Sequence, residues 1–207
     1  MDKYLTLVNF QNEFKEEMKK GFKYIDVDVN KDMNPNKEFI EINTYEAFRA
    51  LQKALIKKGI SITLNSAGRT PEEQQKYYEH VVETEGQEEA DNKVAKGGFS
   101  EHHLGLCVDV RIRSSNVLSK IMVKLSNKDI KKVVHSMLAE YGFIYRYPSN
   151  KKELTGVNID EDWHFRYVGV EHAKEMKRLN MCLEEYIQYL KQKENIELEQ
   201  EEQGLTK

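Results

Sequence analysis

Cysteine is nearly absent from this chain: Cys107 and Cys182 are the two among 207 residues, and they form no CxxC pair. Such spacing builds no disulfide framework, so a buried core has to hold the fold. Proline occurs three times, too rarely for a proline-rich linker. No apolar run approaches the ~20 residues that a membrane-spanning helix needs. Neither sign of charge dominates, with 32 Lys and Arg against 35 Asp and Glu and a net charge of −3. No basic face follows from that balance, which argues against nucleic acid as a partner. The opening residues, from Met1 to Phe10, carry an apolar patch, but charge resumes at Glu13. That patch is too short for a secretory h-region. The expected compartment is the cytoplasm, or the outside of the cell if an export segment has been removed.

What is present is a polar globular balance, 39% hydrophobic and 32% charged. One domain is expected over residues 1–192, followed by a polar, fraying tail over 193–207. Asn43 and Glu46 have the spacing of a capping box, and Phe48, Leu51 and Leu55 then recur at helical spacing up to Lys57-Lys58-Gly59. Residues 60–64 alternate as a half-buried strand. Thr70-Pro71-Glu72-Glu73 opens the next helix, which places Arg69 on a turn just outside a helix N-terminus. Residues 85–98 are polar and read as mostly loop. Strands are expected over 106–112, 143–147 and 163–168. An apolar stripe from Ile130 to Tyr141 predicts a helix closed by Gly142, and residues 171–191 read as one or two more. Helices and strands mix without a βαβ rhythm, which favours an α+β fold.

Two stretches concentrate chemistry: Ser100-Glu101-His102-His103-Leu104-Gly105-Leu106-Cys107-Val108-Asp109, and Glu161-Asp162-Trp163-His164-Phe165-Arg166-Tyr167. Imidazole and carboxylate groups are ligands of a catalytic zinc, which takes three protein donors and keeps a fourth position open. His102, Asp109 and His164 supply such a set, leaving Glu161 as the base. Residue type alone does not separate His102 from His103. Cys107 is either a competing thiol ligand or a small buried hydrophobe. Strand alternation puts Cys107 and Asp109 on one face and Val108 and Val110 on the other. On the later strand His164 and Arg166 share a face, with Trp163, Phe165 and Tyr167 turned to the core. In a regular strand Glu161 would face away from His164, so a bulge or turn is expected around 160–162.

The pattern Ser100-x-His102-x-x-Gly105-x-Cys107-x-Asp109, followed by Glu161-x-Trp163-His164, resembles the zinc site of VanY-type D-alanyl-D-alanine carboxypeptidases. VanXY-type bifunctional peptidases and LD-carboxypeptidases of the same superfamily share it. The likeness extends through Gly68-Arg69-Thr70 with Gln74, Gly142-Phe143-Ile144-x-Arg146-Tyr147-Pro148, Thr155-Gly156 and Leu183-Glu184-Glu185-Tyr186, most of residues 60–190. It implies a Hedgehog/DD-peptidase-like fold, with a central, mostly antiparallel sheet flanked by helices and one zinc ion in a cleft. It implies His102, Asp109 and His164 as zinc ligands, choosing His102 over His103, and Glu161 as general base. Arg69 matches an arginine that would clamp the substrate carboxylate or steady the oxyanion; taken alone, a helix-flanking salt bridge is the other reading. Ser100 and Gln74 match substrate-contact positions, though either suits a turn or cap.

Three departures stand out, since the family commonly has Ala at 107, Pro at 162 and Tyr at 68. Asp162 is expected to raise the pKa of Glu161 by like charge, and Gly68 to remove a wall of the substrate pocket. The implied activity is removal of the C-terminal D-Ala from peptidoglycan precursor peptides, which would deprive a glycopeptide antibiotic of its target. D-Ala-D-Ala dipeptidase and LD-carboxypeptidase action are the enzymatic alternatives. A zinc-stabilised binding module, as in Hedgehog signalling domains, is the non-enzymatic one, and the presence of Glu161 argues against it.

Overall fold

The structure, a computed structural model, describes residues 2–29, 37–114, 127–159 and 161–202. An antiparallel pair, β1 (Tyr24–Asp28) and β2 (Lys37–Glu41), leads into α1 (Ile42–Ile56). Next come β3 (Ile60–Ser66), α2 (Pro71–Glu85), α3 (Gln87–Lys93), β4 (Cys107–Ser114), α4 (Asn127–Met137) and β5 (Phe143–Tyr145). A short α5 (Lys152–Thr155), β6 (His164–Tyr167), α6 (Val170–Leu179) and α7 (Leu183–Glu202) complete the described chain. Four strands form the central sheet in the order β3-β4-β6-β5, every neighbour antiparallel. The expected α+β architecture is what the chain adopts.

Local chemistry explains most of these elements. In α1 the cap lies two residues before Asn43, at the last residue of β2: Glu41 Oε2 accepts from the Thr44 amide at 2.9 Å, while Asn43 donates its side-chain amide to Glu41 Oε1 at 3.0 Å. A carboxylate at the end of β2 thus starts the helix, and the expected Asn43–Glu46 box does not form. For α2 the expected box is there: Thr70 Oγ1 accepts from the Glu73 amide, Glu73 Oε2 accepts from the Thr70 amide, and Pro71 opens the helix. Helix α3 corrects the loop expected over 85–98. Its sequence has no apolar stripe and buries only Ala90. Polar contacts hold it instead, with Tyr78 donating to Asp91 Oδ1 at 2.5 Å and Lys93 bridging Glu85 and Glu89 at 2.7 and 2.9 Å.

The sheet has two unlike faces. Ile62, Leu64, Val108, Val110 and Phe165 pack on Phe48 and Leu51 of α1 and Val134 of α4. Cys107, Asp109, His164 and Arg166 alternate with them and point to the opposite side. The register pairs Asp109 with His164 and Cys107 with Arg166. A second core packs α6 and α7 through Ala173, Met176, Leu183 and Tyr186 against Leu5. Helix α7 then runs on to Glu202, with the side chains of residues 191–199 exposed. Among the described residues no helix is long and apolar enough to cross a membrane.

Gly68 shows why its position carries no side chain here. Its amide donates to Phe39 O at 2.7 Å, and a Cβ there would lie 2.3 Å from that oxygen and 2.5 Å from the Phe39 ring. The tyrosine common at this position would therefore collide with β2. Gly68→Ala should cost about 1–3 kcal/mol by forced overpacking, read as a lower urea midpoint. A midpoint equal to that of the wild type would mean the Phe39 approach does not constrain this turn.

Candidate metal centre and active-site cleft

The site begins where β3 leaves the sheet. Glu38 Oε2 accepts from Ser66 Oγ at 3.0 Å and from the Ala67 amide at 2.6 Å, which fixes the turn that carries Arg69. That turn is strapped to the 3₁₀ turn Glu101–Leu104. Arg69 N donates to His102 O at 3.1 Å, and His103 Nδ1 donates to Arg69 O at 2.8 Å. His103 Nε2 in turn accepts from the Gly98 amide at 3.0 Å. Both ring nitrogens of His103 are thus spent on backbone, and burial pushes its pKa down to about 4. His102 differs. Its Nδ1 donates to Ala67 O, which leaves Nε2, 3.3 Å from Asp109 Oδ2, as the nitrogen available to a metal. Geometry therefore separates two histidines that sequence alone could not.

His164 approaches from the other side. Its Nδ1 lies 2.9 Å from Asp109 Oδ1, and its ring meets that of His102 edge-on with centroids 5.2 Å apart. One carboxylate is thus flanked by two imidazole nitrogens, each with a second nitrogen held elsewhere. Burial disfavours the Asp109 charge, yet the two imidazoles hold its carboxyl well below the usual carboxylate range. This N, O, N donor set suits a zinc ion. The Cys107 thiol is a rival donor, since it lies within 4.8 Å of one nitrogen of each histidine. Burial alone would raise its pKa, but the imidazoles of His102 and His164 bring it down to about 7.

The expected irregularity before β6 is a turn: the His164 amide donates to Glu161 O at 3.0 Å. Asp160, part of that expectation, lies outside the described residues. The turn folds Glu161 back, so that its Oε2 lies 4.0 Å from His164 Nδ1. Burial, then the Asp109 charge, raises the Glu161 pKa. The Asp162 charge, expected to act on Glu161, is spent on Lys131 instead. Trp163, expected in the core, precedes the strand proper and is 40% exposed on the rim of the cleft.

The cleft has a volume of about 760 Å³ and is lined by Arg69, Ser100, His102, Asp109, Glu161 and His164, among others. Arg69 Nη2 lies 4.0 Å from Asp109 Oδ2, its guanidinium rests over Tyr77, and its Nε has no hydrogen-bond partner among the described residues. Ser100 Oγ accepts from the His102 amide at 3.4 Å, so it serves as a cap while also lining the cleft. Gln74 does not join them; it is 2% exposed and donates to Ala95 O at 2.7 Å, holding the loop after α3. Sequence reasoning gave no role to Glu101, Arg146, Arg166 and Glu184, which are buried, with Glu101 against His164. The signal was present, because Arg146 and Arg166 interrupt otherwise apolar strand segments, where an unpaired charge is not tolerated.

The family model for VanY D-alanyl-D-alanine carboxypeptidases matches residues 37–170. The bifunctional D-Ala-D-Ala dipeptidase and D-Ala-D-Ala carboxypeptidase VanXYC of Enterococcus gallinarum is 35% identical over 131 residues, 63% of this chain and 68% of that protein. A D-alanyl-D-alanine carboxypeptidase of Enterococcus faecium is 36% identical over 152 residues, 73% of this chain but 45% of that protein. The chain thus spans from about half to two thirds of the length of these curated relatives. Among solved structures, VanYB in complex with D-alanine-D-alanine has a TM-score of 0.71 at 31% identity, covering 90% of this chain and 98% of that one. A VanY D,D-pentapeptidase in complex with Zn(II) has a TM-score of 0.70 at 30% identity, covering 90% and 99%. The LdcB LD-carboxypeptidase has a TM-score of 0.69 at 29% identity, covering 89% and 86%.

The two rival donor sets are separable by metal analysis. After zinc loading and desalting, Cys107→Ala and His103→Gln should keep one zinc per chain, whereas His102→Ala, Asp109→Ala and His164→Ala should lose it. Loss of zinc from Cys107→Ala with retention in Asp109→Ala would assign the ion to the thiol.

Proposed function

Because the chain belongs to the VanY family of D-alanyl-D-alanine carboxypeptidases, we propose that it is a zinc-dependent D,D-carboxypeptidase that removes the C-terminal D-Ala from peptidoglycan precursor peptides. One observation carries the proposal: His102 Nε2, the Asp109 carboxylate and His164 Nδ1 converge in a cleft that also holds Glu161 and Arg69. Zinc held by those donors would supply a Lewis acid for the scissile carbonyl and lower the pKa of a water from 15.7 to about 7.

The remaining work falls to side chains. Glu161 takes a proton from the attacking water and returns it to the departing amine nitrogen of D-Ala. Its raised pKa suits both halves of that shuttle, because burial makes the carboxylate a better base than it is in water. Arg69 offers a planar donor fork with an uncommitted Nε beside Asp109, placed to grip the substrate's terminal carboxylate or the oxyanion. Tyr77 stacks on that guanidinium and limits its rotation. The cleft volume of about 760 Å³ accommodates the end of a peptide rather than a single amino acid.

Two related activities share this machinery. Likeness to VanXYC favours an added D-Ala-D-Ala dipeptidase action, and likeness to LdcB favours LD-cleavage of a tetrapeptide stem. The zinc-loaded protein should release D-Ala from a stem pentapeptide ending in D-Ala-D-Ala and leave the tetrapeptide intact. Cleavage of the tetrapeptide alone would replace the proposal with the LD reading, and cleavage of free D-Ala-D-Ala alone with the dipeptidase reading. Glu161→Gln should lower kcat by at least about 100-fold, the usual worth of a general base, with zinc content unchanged. Activity within a few-fold of wild type in that variant would place the base elsewhere.

A further inference from the structure

Beside His164 lies a charged cluster that the proposed reaction does not use. Arg146 and Arg166 are 0% exposed, Glu101 2% and Glu184 9%, and none of the four lines the cleft. Glu101 Oε1 accepts from Arg146 Nε and from Arg166 Nη1, both at 2.8 Å. Its other oxygen, Oε2, is thereby left facing His164 Nε2 at 3.4 Å. Two acids and two bases balance in charge, so the cluster has no need of a protonated imidazole.

An ionised carboxylate can only accept, so His164 must present an N–H at Nε2. With a metal on Nδ1 the ring is neutral and its one proton sits at Nε2; without a metal, Nδ1 also faces a carboxylate oxygen, Asp109 Oδ1 at 2.9 Å, and carries a second proton. The opposite tautomer would set the Glu101 oxygen against a lone pair and cover Nδ1 with a proton. The two arginines that hold Glu101 are themselves anchored. Arg166 Nη2 donates to Tyr4 O at 3.1 Å and to Thr6 O at 2.7 Å in the amino-terminal segment. Arg146 Nη1 and Nη2 grip the two oxygens of Glu184 in α7 at 2.9 and 2.6 Å, and Asn9 donates to Glu184 Oε1 at 3.1 Å. Burying four charges is costly, and each is stable only because the others are present. That expense is concentrated behind one metal-facing histidine.

We infer that Glu101 is a positioning residue that fixes His164 as its Nε2–H tautomer and turns Nδ1 toward the metal, with Arg146 and Arg166 holding the carboxylate in place. The inference deepens the proposed function, since it rests on His164 being a zinc ligand. It is the carboxylate–histidine–metal arrangement that gives a second layer of residues control over ligand basicity and orientation.

The test has two arms. In wild-type protein with ¹⁵N-labelled histidine, NMR should show the His164 ring protonated at Nε2 both with and without zinc; an unprotonated Nε2 in either state would overturn the inference without any variant. In Glu101→Gln the amide nitrogen would donate toward Nε2 and favour the Nδ1–H form. Zinc affinity, measured against a competing chelator, should then fall by about 10–100-fold, the usual effect of removing such a partner. Glu184→Gln serves as the control, lowering thermal stability while leaving the His164 tautomer and zinc affinity as in wild type. Equal zinc affinity in Glu101→Gln and wild type would overturn the inference. If Glu101→Gln does not fold, the wild-type tautomer decides. A wild-type protein that binds no zinc would instead reject the proposed function, and the presence or absence of the Nε2 proton in the metal-free protein would still decide the role of Glu101.

Discussion

The antiparallel register of β4 and β6 sets Asp109 directly opposite His164, and the rest of the site is built around that pairing. Two residues separated by more than fifty positions reach 2.9 Å because a ladder of backbone hydrogen bonds leaves them no other place. A slip of one residue would bring Val108 to the polar face and bury the carboxylate among Phe165 and Val134. The apolar alternation that fixes the core therefore also fixes two of the three proposed ligands. The third, His102, is delivered by a turn pinned to the end of β3 through Ala67 and Arg69. No element brings a ligand alone.

The two faces of the sheet do unequal energetic work. One buries aliphatic and aromatic side chains against α1 and α4, and supplies most of the favourable free energy through removal of apolar surface from water. The other holds imidazoles, carboxylates and guanidiniums at low exposure, where each group requires a partner. The arrangement is coherent because the partners form a closed set: Glu101 with Arg146 and Arg166, Arg146 with Glu184, and His102 with a carbonyl. Rigidity of this kind suits a centre that must hold ligands in place before substrate arrives. Around the rim, exposed Trp163 and Tyr77 leave apolar surface available to a peptide.

Much of this was legible in the sequence where a residue type has one physical use. Alternation over residues 60–64, the Thr70–Glu73 box and the stop at Gly142 each followed from local rules, and the structure keeps all three. The turn ahead of His164 was legible from a contradiction, because Glu161 and His164 cannot share a strand face at a spacing of three. Other features depended on distant partners. Helix α3 has no apolar stripe, so its existence rests on Tyr78 and Glu85 of the helix before it. The cap of α1 is a strand residue that no capping pattern includes. Trp163 looked like core by alternation, but β6 starts one residue later. The neutralisation of Asp162 by Lys131 joins residues thirty-one apart and leaves no trace in local sequence.

X-ray absorption at the zinc edge of the loaded wild-type protein measures the central claim directly. A first shell of nitrogen and oxygen donors alone, at about 2.0–2.2 Å and with the outer scattering of two imidazoles, is the result expected for His102, Asp109 and His164. A sulfur scatterer at about 2.3 Å would contradict it, because Cys107 would then be holding the ion.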